Sequence, residues 1–260
     1  MKIQRRHIAL TVVTVVVGVF LILPTLYIIP LSFDASSTLG VPSGRWTTSW
    51  YVELFTDRAW ARAARNSLQV AVLTTVIATV LGTALALAFR VKTRTNAIAY
   101  AVTLAPMIVP AVILGVGLYG LLVSWGLGGT LLGLVIAHTV LAIPFVVVAV
   151  GSSLSQVDPD YEKAAASLGA SPMRQHVRVV LPLALPGIAA GALFAFVTSW
   201  DEVVVSIFLT NAQSRTLPVL MWTQVRTEVT PTLAALGTCL LALSTLALLG
   251  MQMLNRRSKD

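Results

Sequence analysis

Charged side chains are scarce here, at 11% of 260 residues, where a soluble domain carries about 25%. With 57% hydrophobic residues and a mean hydropathy of +0.86, that scarcity excludes a water-soluble monomer and makes the bilayer the natural solvent. Cysteine is almost absent. The single Cys239 lies in an apolar stretch, which excludes an internal disulfide framework and leaves it a packing residue. No Gly-x-x-x-x-Gly-Lys-Ser/Thr loop occurs, so the chain has no phosphate cradle of its own. The run Gly151-Ser152-Ser153-Leu154 is not a nucleophile elbow and has no paired base, so catalysis is not expected. No second His, Cys or carboxylate lies near His138 at metal-ligand spacing. There is no low-complexity tract, internal repeat or soluble domain.

Long uncharged runs are what the sequence does have. Residues 8–33 and 66–89 each carry no charge. Residues 95–157 are also uncharged but too long for one crossing, which takes about 20 residues. The run Trp125-Gly126-Leu127-Gly128-Gly129 divides them. The spacing therefore predicts an all-α integral membrane protein, a single domain over 1–260. Its six transmembrane helices are placed at about 8–30, 66–89, 97–123, 130–151, 183–209 and 230–254. Lys2, Arg5 and Arg6 precede an apolar run longer than the ~7–15 residues of a cleaved signal peptide, so a retained signal anchor is expected.

Lys and Arg resist translocation and report orientation. With the N-terminus inside, the inner side holds Lys2, Arg5, Arg6, Arg90, Lys92, Arg94, Lys163, Arg174, Arg178, Arg256, Arg257 and Lys259. The outer side holds Arg45, Arg58, Arg62, Arg65, Arg215 and Arg226, which makes 12 against 6 of the 18. Both termini are expected in the cytoplasm. The net charge of +8 is then a topology device, and no nucleic acid is expected as a partner.

Two loops are long enough to act. In the outer loop, about 34–65, Trp50 or Tyr51 with Leu54 and Phe55 has helical spacing. This reads as a short interfacial helix, an anchor. The inner loop, 152–182, reads as a helical hairpin. Asp158 is placed to cap it, with Pro159 at its first position. Ala164, Ala165 and Ala166 favour helix, Gly169 ends it in the left-handed conformation, and Pro172 starts a second helix bearing Arg174, His176 and Arg178. A helix faced with methyl groups admits a partner surface closely. The alternative is an ordinary loop that caps two spans.

In the inner loop, Lys163-Ala164-Ala165, then Gly169, then Leu181-Pro182 stand at the spacing of a known signature. That signature is Glu-Ala-Ala, three residues, Gly, nine residues, Ile, any residue, Leu-Pro. By it the chain resembles the inner membrane permeases of binding-protein-dependent ABC importers. Val179 replaces Ile, and Lys163 stands where the family has Glu, with Glu162 one residue early. The likeness continues through Asn66-Ser67-Leu68, Leu104-Ala105-Pro106 with Pro110, Ser199-Trp200-Asp201-Glu202, Arg215-Thr216-Leu217-Pro218, Met221-Trp222 and Pro231-Thr232. This later pattern is similar to the spermidine/putrescine permease subfamily.

The resemblance implies the type I ABC importer permease fold in a bacterial inner membrane and a small solute, polyamine, as cargo. The hairpin becomes a coupling helix that docks on an ATPase. Glu162, Lys163, Ala164, Ala165, Gly169, Leu181 and Pro182 are its coupling residues. No cofactor is expected on this chain, ATP and magnesium belonging to the ATPase. The implied partners are a cytoplasmic ATPase dimer, a second homologous permease, a periplasmic or lipid-anchored solute-binding protein, and membrane lipid. Either Glu162 serves from the neighbouring position for the family Glu, or the ATPase carries compensating charge opposite Lys163.

Carboxylates at membrane depth are costly and default to function. Asp201 and Glu202 follow Pro186 by fifteen positions, which at ~1.5 Å per residue is the outer half of the fifth span. On a continuous helix they point about 100° apart. One of the two, Asp201 in preference to Glu202, is expected to line the substrate path, and Trp200 to add a cation–π contact. The competing reading is a structural pair that binds backbone or Arg215. His138 is expected to make a hydrogen-bonded interhelical contact. Pro106, Pro110, Pro144, Gly115, Gly117 and Gly120 indicate kinked, closely packed helices. A six-helix channel or secondary transporter for a small cation is the rival reading; it gives the inner loop no reason to carry the signature.

Overall fold

The computed structural model describes residues 2–37, 40, 42–227 and 229–257, with side chains over 10–37, 40, 42–227 and 229–246. The side chains of Lys2, Arg5, Arg6, Arg256, Arg257 and Lys259, used above for orientation, lie outside those described. All regular structure among the described residues is helical, apart from one isolated bridge between Asp34 and Trp46. The helices are α1 (Lys2–Ser32), α2 (Ser49–Thr56), α3 (Arg58–Ala88), α4 (Arg94–Ile108), α5 (Ala111–Ser124) and α6 (Leu131–Leu154). They continue as α7 (Pro159–Ser167), α8 (Pro172–Leu183), α9 (Leu185–Trp200), α10 (Val204–Leu209), α11 (Leu217–Thr227) and α12 (Pro231–Arg257).

Each of the six expected apolar segments is helical. Leu10–Ser32, Arg58–Ala88 and Leu131–Leu154 are unbroken and long enough to cross a bilayer. The third segment is a bent pair, α4 with α5 at 108°, and α9, which opens the fifth, meets α8 of the inner loop at 72°. The bend in the third follows from Pro110. Proline bars the preceding residue from the helical region, and Val109 is extended (φ −72°, ψ 131°). The helix of the second segment, α3, starts at Arg58, eight residues before the uncharged run. Arg58, Arg62 and Arg65 mark the edge of the apolar zone, and the backbone helix continues beyond it. The fifth segment departs most from expectation. Its helix does not run on to 209: it stops at Trp200 and restarts at Val204.

Contacts gather in two units, residues 1–61 with 221–260, and residues 62–220. In the first, α12 packs against α1 and α2. Gly237 permits the approach of α1, since a Cβ there would lie 2.7 Å from Ile28 Cδ1. The expected interfacial helix is α2, with Leu54 buried. It is tied to the preceding loop by Trp50 Nε1, which donates to the Asp34 carbonyl at 2.7 Å, and by Tyr51, whose hydroxyl meets that of Ser32 at 2.6 Å. The Asp34 carboxylate accepts from the Ser36 hydroxyl and from the amide and hydroxyl of Ser43 at 2.8 and 2.6 Å. These donors favour the ionised form and hold its pKa down at about 2.

In the second unit α6 is the central helix. One of its ridges, Ala142, Val146, Val150 and Leu154, is buried at four-residue spacing. It meets small residues at the same spacing on two neighbours: Ala78, Gly82 and Ala86 on α3, and Gly187, Gly191 and Ala195 on α9. A Cβ at Gly82 would lie 2.7 Å from Val146 Cβ, and one at Gly191 3.2 Å from Val146 Cα. Lipid tails are as apolar as leucine, so helices associate in a bilayer through such close packing rather than through hydrophobicity. A second cluster joins Leu134, Val135 and Leu141 of α6 to Val70, Leu122, Val205 and Leu209. Gly115 of α5 lets α10 pack closely, with Phe208 over it.

Candidate functional site

The hairpin between α6 and α9 is built by local rules. Asp158 Oδ1 accepts the Asp160 amide at 2.9 Å and Pro159 opens the helix, so α7 begins where the cap dictates. It ends in a Schellman motif. The Gly169 amide donates to Ala166 O at 2.9 Å and the Ala170 amide to Ala165 O at 3.0 Å, with Gly169 at φ +80°. The chain reverses there and Pro172 starts α8, where Gln175 Nε2 donates back to Ala170 O at 2.8 Å.

Pro182 lacks an amide proton and cannot continue the ladder of α8. The helix widens over His176–Val180, where the Leu181 amide bonds the His176 carbonyl five residues back. The 72° bend into α9 follows. Val180 is fully buried in the cluster with Leu154 and Ala184, so the root of the hairpin is anchored while its tip stands free. Leu181 is half-buried and Pro182 exposed. At the tip, Leu168 is 89% exposed and Met173 74%, with Ala164 and Ala166 also exposed and Ala165 half-buried.

The two adjacent charges of α7 point to different partners. Arg90 Nη2, just past the end of α3, donates to Glu162 Oε1 at 2.6 Å in a largely covered pair. Lys163 points outward, three-quarters exposed, and meets Asp160 at 2.7 Å. Glu162 is thus turned toward its own chain, and Lys163 is the charge displayed. The sequence offered no signal for the Arg90 partner, 72 residues upstream.

The second candidate region is the break in the fifth span. Trp200 ends α9 with its ring stacked on Phe196, centroids 5.8 Å apart. Asp201 is the C-cap, exposed, with its amide bonded to Val197 O at 3.1 Å. Glu202 Oε1 accepts the Val205 amide at 2.8 Å and so caps the restarting α10. The expectation that both carboxylates sit on one continuous helix is therefore corrected. A carboxylate that takes over backbone amides competes with the helical ladder and ends it. Neither carboxylate pairs with Arg215 among the described residues. Glu202 binds backbone as the competing reading had it; Asp201 makes no side-chain hydrogen bond or ion pair among the described residues.

His138 is buried and bonds two serines at once, Nδ1 to the Ser199 hydroxyl and Nε2 to the Ser206 hydroxyl, each at 2.8 Å. The interhelical contact expected of it is present; the identity of its partners, 61 and 68 residues away, was not legible. No cluster of three metal-ligating side chains occurs among the described residues.

The family described as binding-protein-dependent transport system inner membrane component matches residues 78–260. The spermidine/putrescine transport system permease protein PotC of Escherichia coli (strain K12) is 33% identical over 238 residues, 91% of this chain and 90% of that one. The putrescine transport system permease protein PotI of the same strain is 32% identical, over 85% of this chain and 82% of PotI. Among solved structures, a bacterial ABC transporter involved in the import of the acidic polysaccharide alginate aligns with a TM-score of 0.71 at 16% identity, covering 97% and 96% of the two chains. The MetNI methionine ABC transporter, in an inward-facing conformation, aligns at 0.62 with 20% identity over 75% and 94%. At those identities the structural likeness carries the fold, and the sequence relatives carry the family. This multi-pass helical membrane protein is an ABC importer permease, a member of the binding-protein-dependent transport system inner membrane components.

Proposed function

We propose that this chain is a permease half of a polyamine importer in a bacterial inner membrane, moved by a separate ATPase through the 158–172 hairpin. The observation that carries the reading is the hairpin itself. It is rigid at the turn, anchored at Val180, and ends in bare apolar side chains, Leu168 and Met173, that water does not favour. A large exposed apolar tip on an anchored lever is what a docking knob requires. Glu162 is held by Arg90, which favours a partner that complements Lys163 with a carboxylate over one that receives the family Glu. ATP and magnesium belong to that partner dimer, and the inner-side bias of Lys and Arg supports both termini in the cytoplasm.

A second homologous permease completes the pathway, and a periplasmic or lipid-anchored binding protein delivers the solute. Polyamine is favoured by what PotC and PotI are named for and by a carboxylate, Asp201, that has no side-chain partner among the described residues and lies at a break in a span. Trp200 precedes Asp201, and a cation–π contact would use the ring face not stacked on Phe196. A channel or secondary transporter has no use for the docking tip.

Copurification with a neighbouring ATPase tests the coupling half. Gly169→Pro or deletion of 161–170 should abolish it, and retention of the ATPase by both variants overturns the reading. Uptake of labelled putrescine tests the path half. Asp201→Asn should remove most of it, whereas Glu202→Gln, which still accepts from Val205, should keep most; full uptake by Asp201→Asn ends that assignment.

A further inference from the structure

Within the break in the fifth span, one local side chain acts on the backbone: Glu202, which caps α10. α9 has ended, and α10, whose ladder starts where the Val203 carbonyl accepts the Ile207 amide at 2.9 Å, is only six residues long. What crosses the break is a side chain from another helix. Ser199 lies on α9 before it and Ser206 on α10 after it, and both hydroxyls turn to His138 of α6. His138 and Ser206 are essentially inaccessible and Ser199 nearly so. A neutral imidazole donates from one nitrogen and accepts at the other, and a serine hydroxyl can do either, so one ring satisfies both serines. The ring rests in an apolar setting, with Leu134 and Leu141 one turn away on its own helix packed against Val205 and Leu209 of α10. In such surroundings a polar group pays heavily for leaving its partners.

We propose that His138 is a positioning residue: by bonding a serine on each side of the break it fixes the angle between α9 and α10, and so the direction in which the Asp201 carboxylate is presented. This rests on the reading of Asp201 as part of the substrate path. Asp201 lies on the loop that the two serines bracket, two positions after Ser199 and five before Ser206. A shift of the bracket moves it while the rest of the core is held by the glycine contacts of α3 and α9. The histidine therefore governs where a pathway group points without touching the solute.

The test uses the full chain assembled with its partner subunits, in a Cys239→Ala background. Asp201→Cys is labelled with a membrane-impermeant thiol reagent, with Val197→Cys, exposed one turn earlier on α9, as control. His138→Leu and the milder Ser206→Ala should change the labelling rate at position 201 by about tenfold, the scale of losing buried hydrogen bonds and stranding their partners. The rate at position 197 should stay constant. His138→Gln, which keeps a donor and an acceptor on one planar group, should restore the rate at 201. With Asp201 intact, His138→Leu should lower solute moved per ATP hydrolysed by a similar factor, and His138→Gln should recover it. Unchanged labelling at 201 in both His138→Leu and Ser206→Ala overturns the inference, as does equal change at 197 and 201. Should His138→Leu fail to assemble, Ser206→Ala alone decides. Normal uptake by Asp201→Asn together with altered labelling would instead remove the path reading and leave the positioning role standing.

Discussion

Helices α1 and α6 have nearly the same length of apolar sequence and nearly the same mean hydropathy, yet their surroundings in the molecule are opposite. None of the most apolar stretch of α1 is buried, against 61% of that of α6. Hydropathy thus marks both as spans and cannot say which is the hub. The difference lies in what faces them. Gly18 of α1 has no heavy atom within 4 Å of where a Cβ would stand, whereas Val146 of α6 is met by Gly82 and Gly191 from two sides. Leucine and valine find lipid as good a neighbour as protein, so α6 is central within its own unit because its neighbours there carry small residues in register.

Three measurements break or sharpen that contrast, the first two read as thermal stability of the purified complex in detergent or lipid nanodiscs and the third as an acid titration. The largest effect is expected from Leu134→Ala, which empties a fully buried site on α6 and should cost about 2–5 kcal/mol. The matching Leu21→Ala on α1, a residue 65% exposed, should be close to neutral. Equal losses would show that α1 is as tightly packed as α6. Next is overpacking: Gly191→Leu pushes side-chain atoms into the Val146 backbone and should cost about 1–3 kcal/mol. Gly18→Leu should change little, and a large loss there would reveal a neighbour on α1 as close as those of α6.

The smallest effect is electrostatic and confined to the loop after α1. The Asp34 pKa is lowered from 3.8 to about 2, so the folded loop prefers the ionised carboxylate. Its contribution is complete above the ordinary value and disappears as pH falls through about 2. Acid titration followed by tryptophan fluorescence should show a transition in that window, because Trp50 donates to the Asp34 carbonyl. Asp34→Asn should abolish it. A transition of the same size in Asp34→Asn would assign it to other carboxylates.

The hairpin was the most legible part of the molecule. Asp158, Pro159, Gly169 and Pro172 act through bonds that reach at most five residues along the chain, so the cap, the turn and the restart could be read from their order. The break at 201–203 was less so. Two carboxylates in an apolar run signalled function but were placed on an unbroken helix, because hydropathy carries no information about which side chain will take a backbone amide. Glu202 does so for Val205, and that bond decides the local geometry. Helix α3 shows the reverse error. Its arginines were taken for a loop, although charge limits only how deep a segment can lie in lipid, not whether its backbone is helical.

The order of residues by itself determined that the chain lives in a bilayer, where its apolar helices fall, where the hairpin turns and which family it resembles. Each of these rests on transfer into lipid or on neighbours within a turn or two. Tertiary structure alone decided that Glu162 is held by Arg90 while Lys163 is displayed, that His138 brackets the broken span through Ser199 and Ser206, and that α6 is the hub of its own unit. The polar pairs join residues 61 or more apart, and such pairings depend on which helices lie side by side, a choice made by the fit of small residues against ridges.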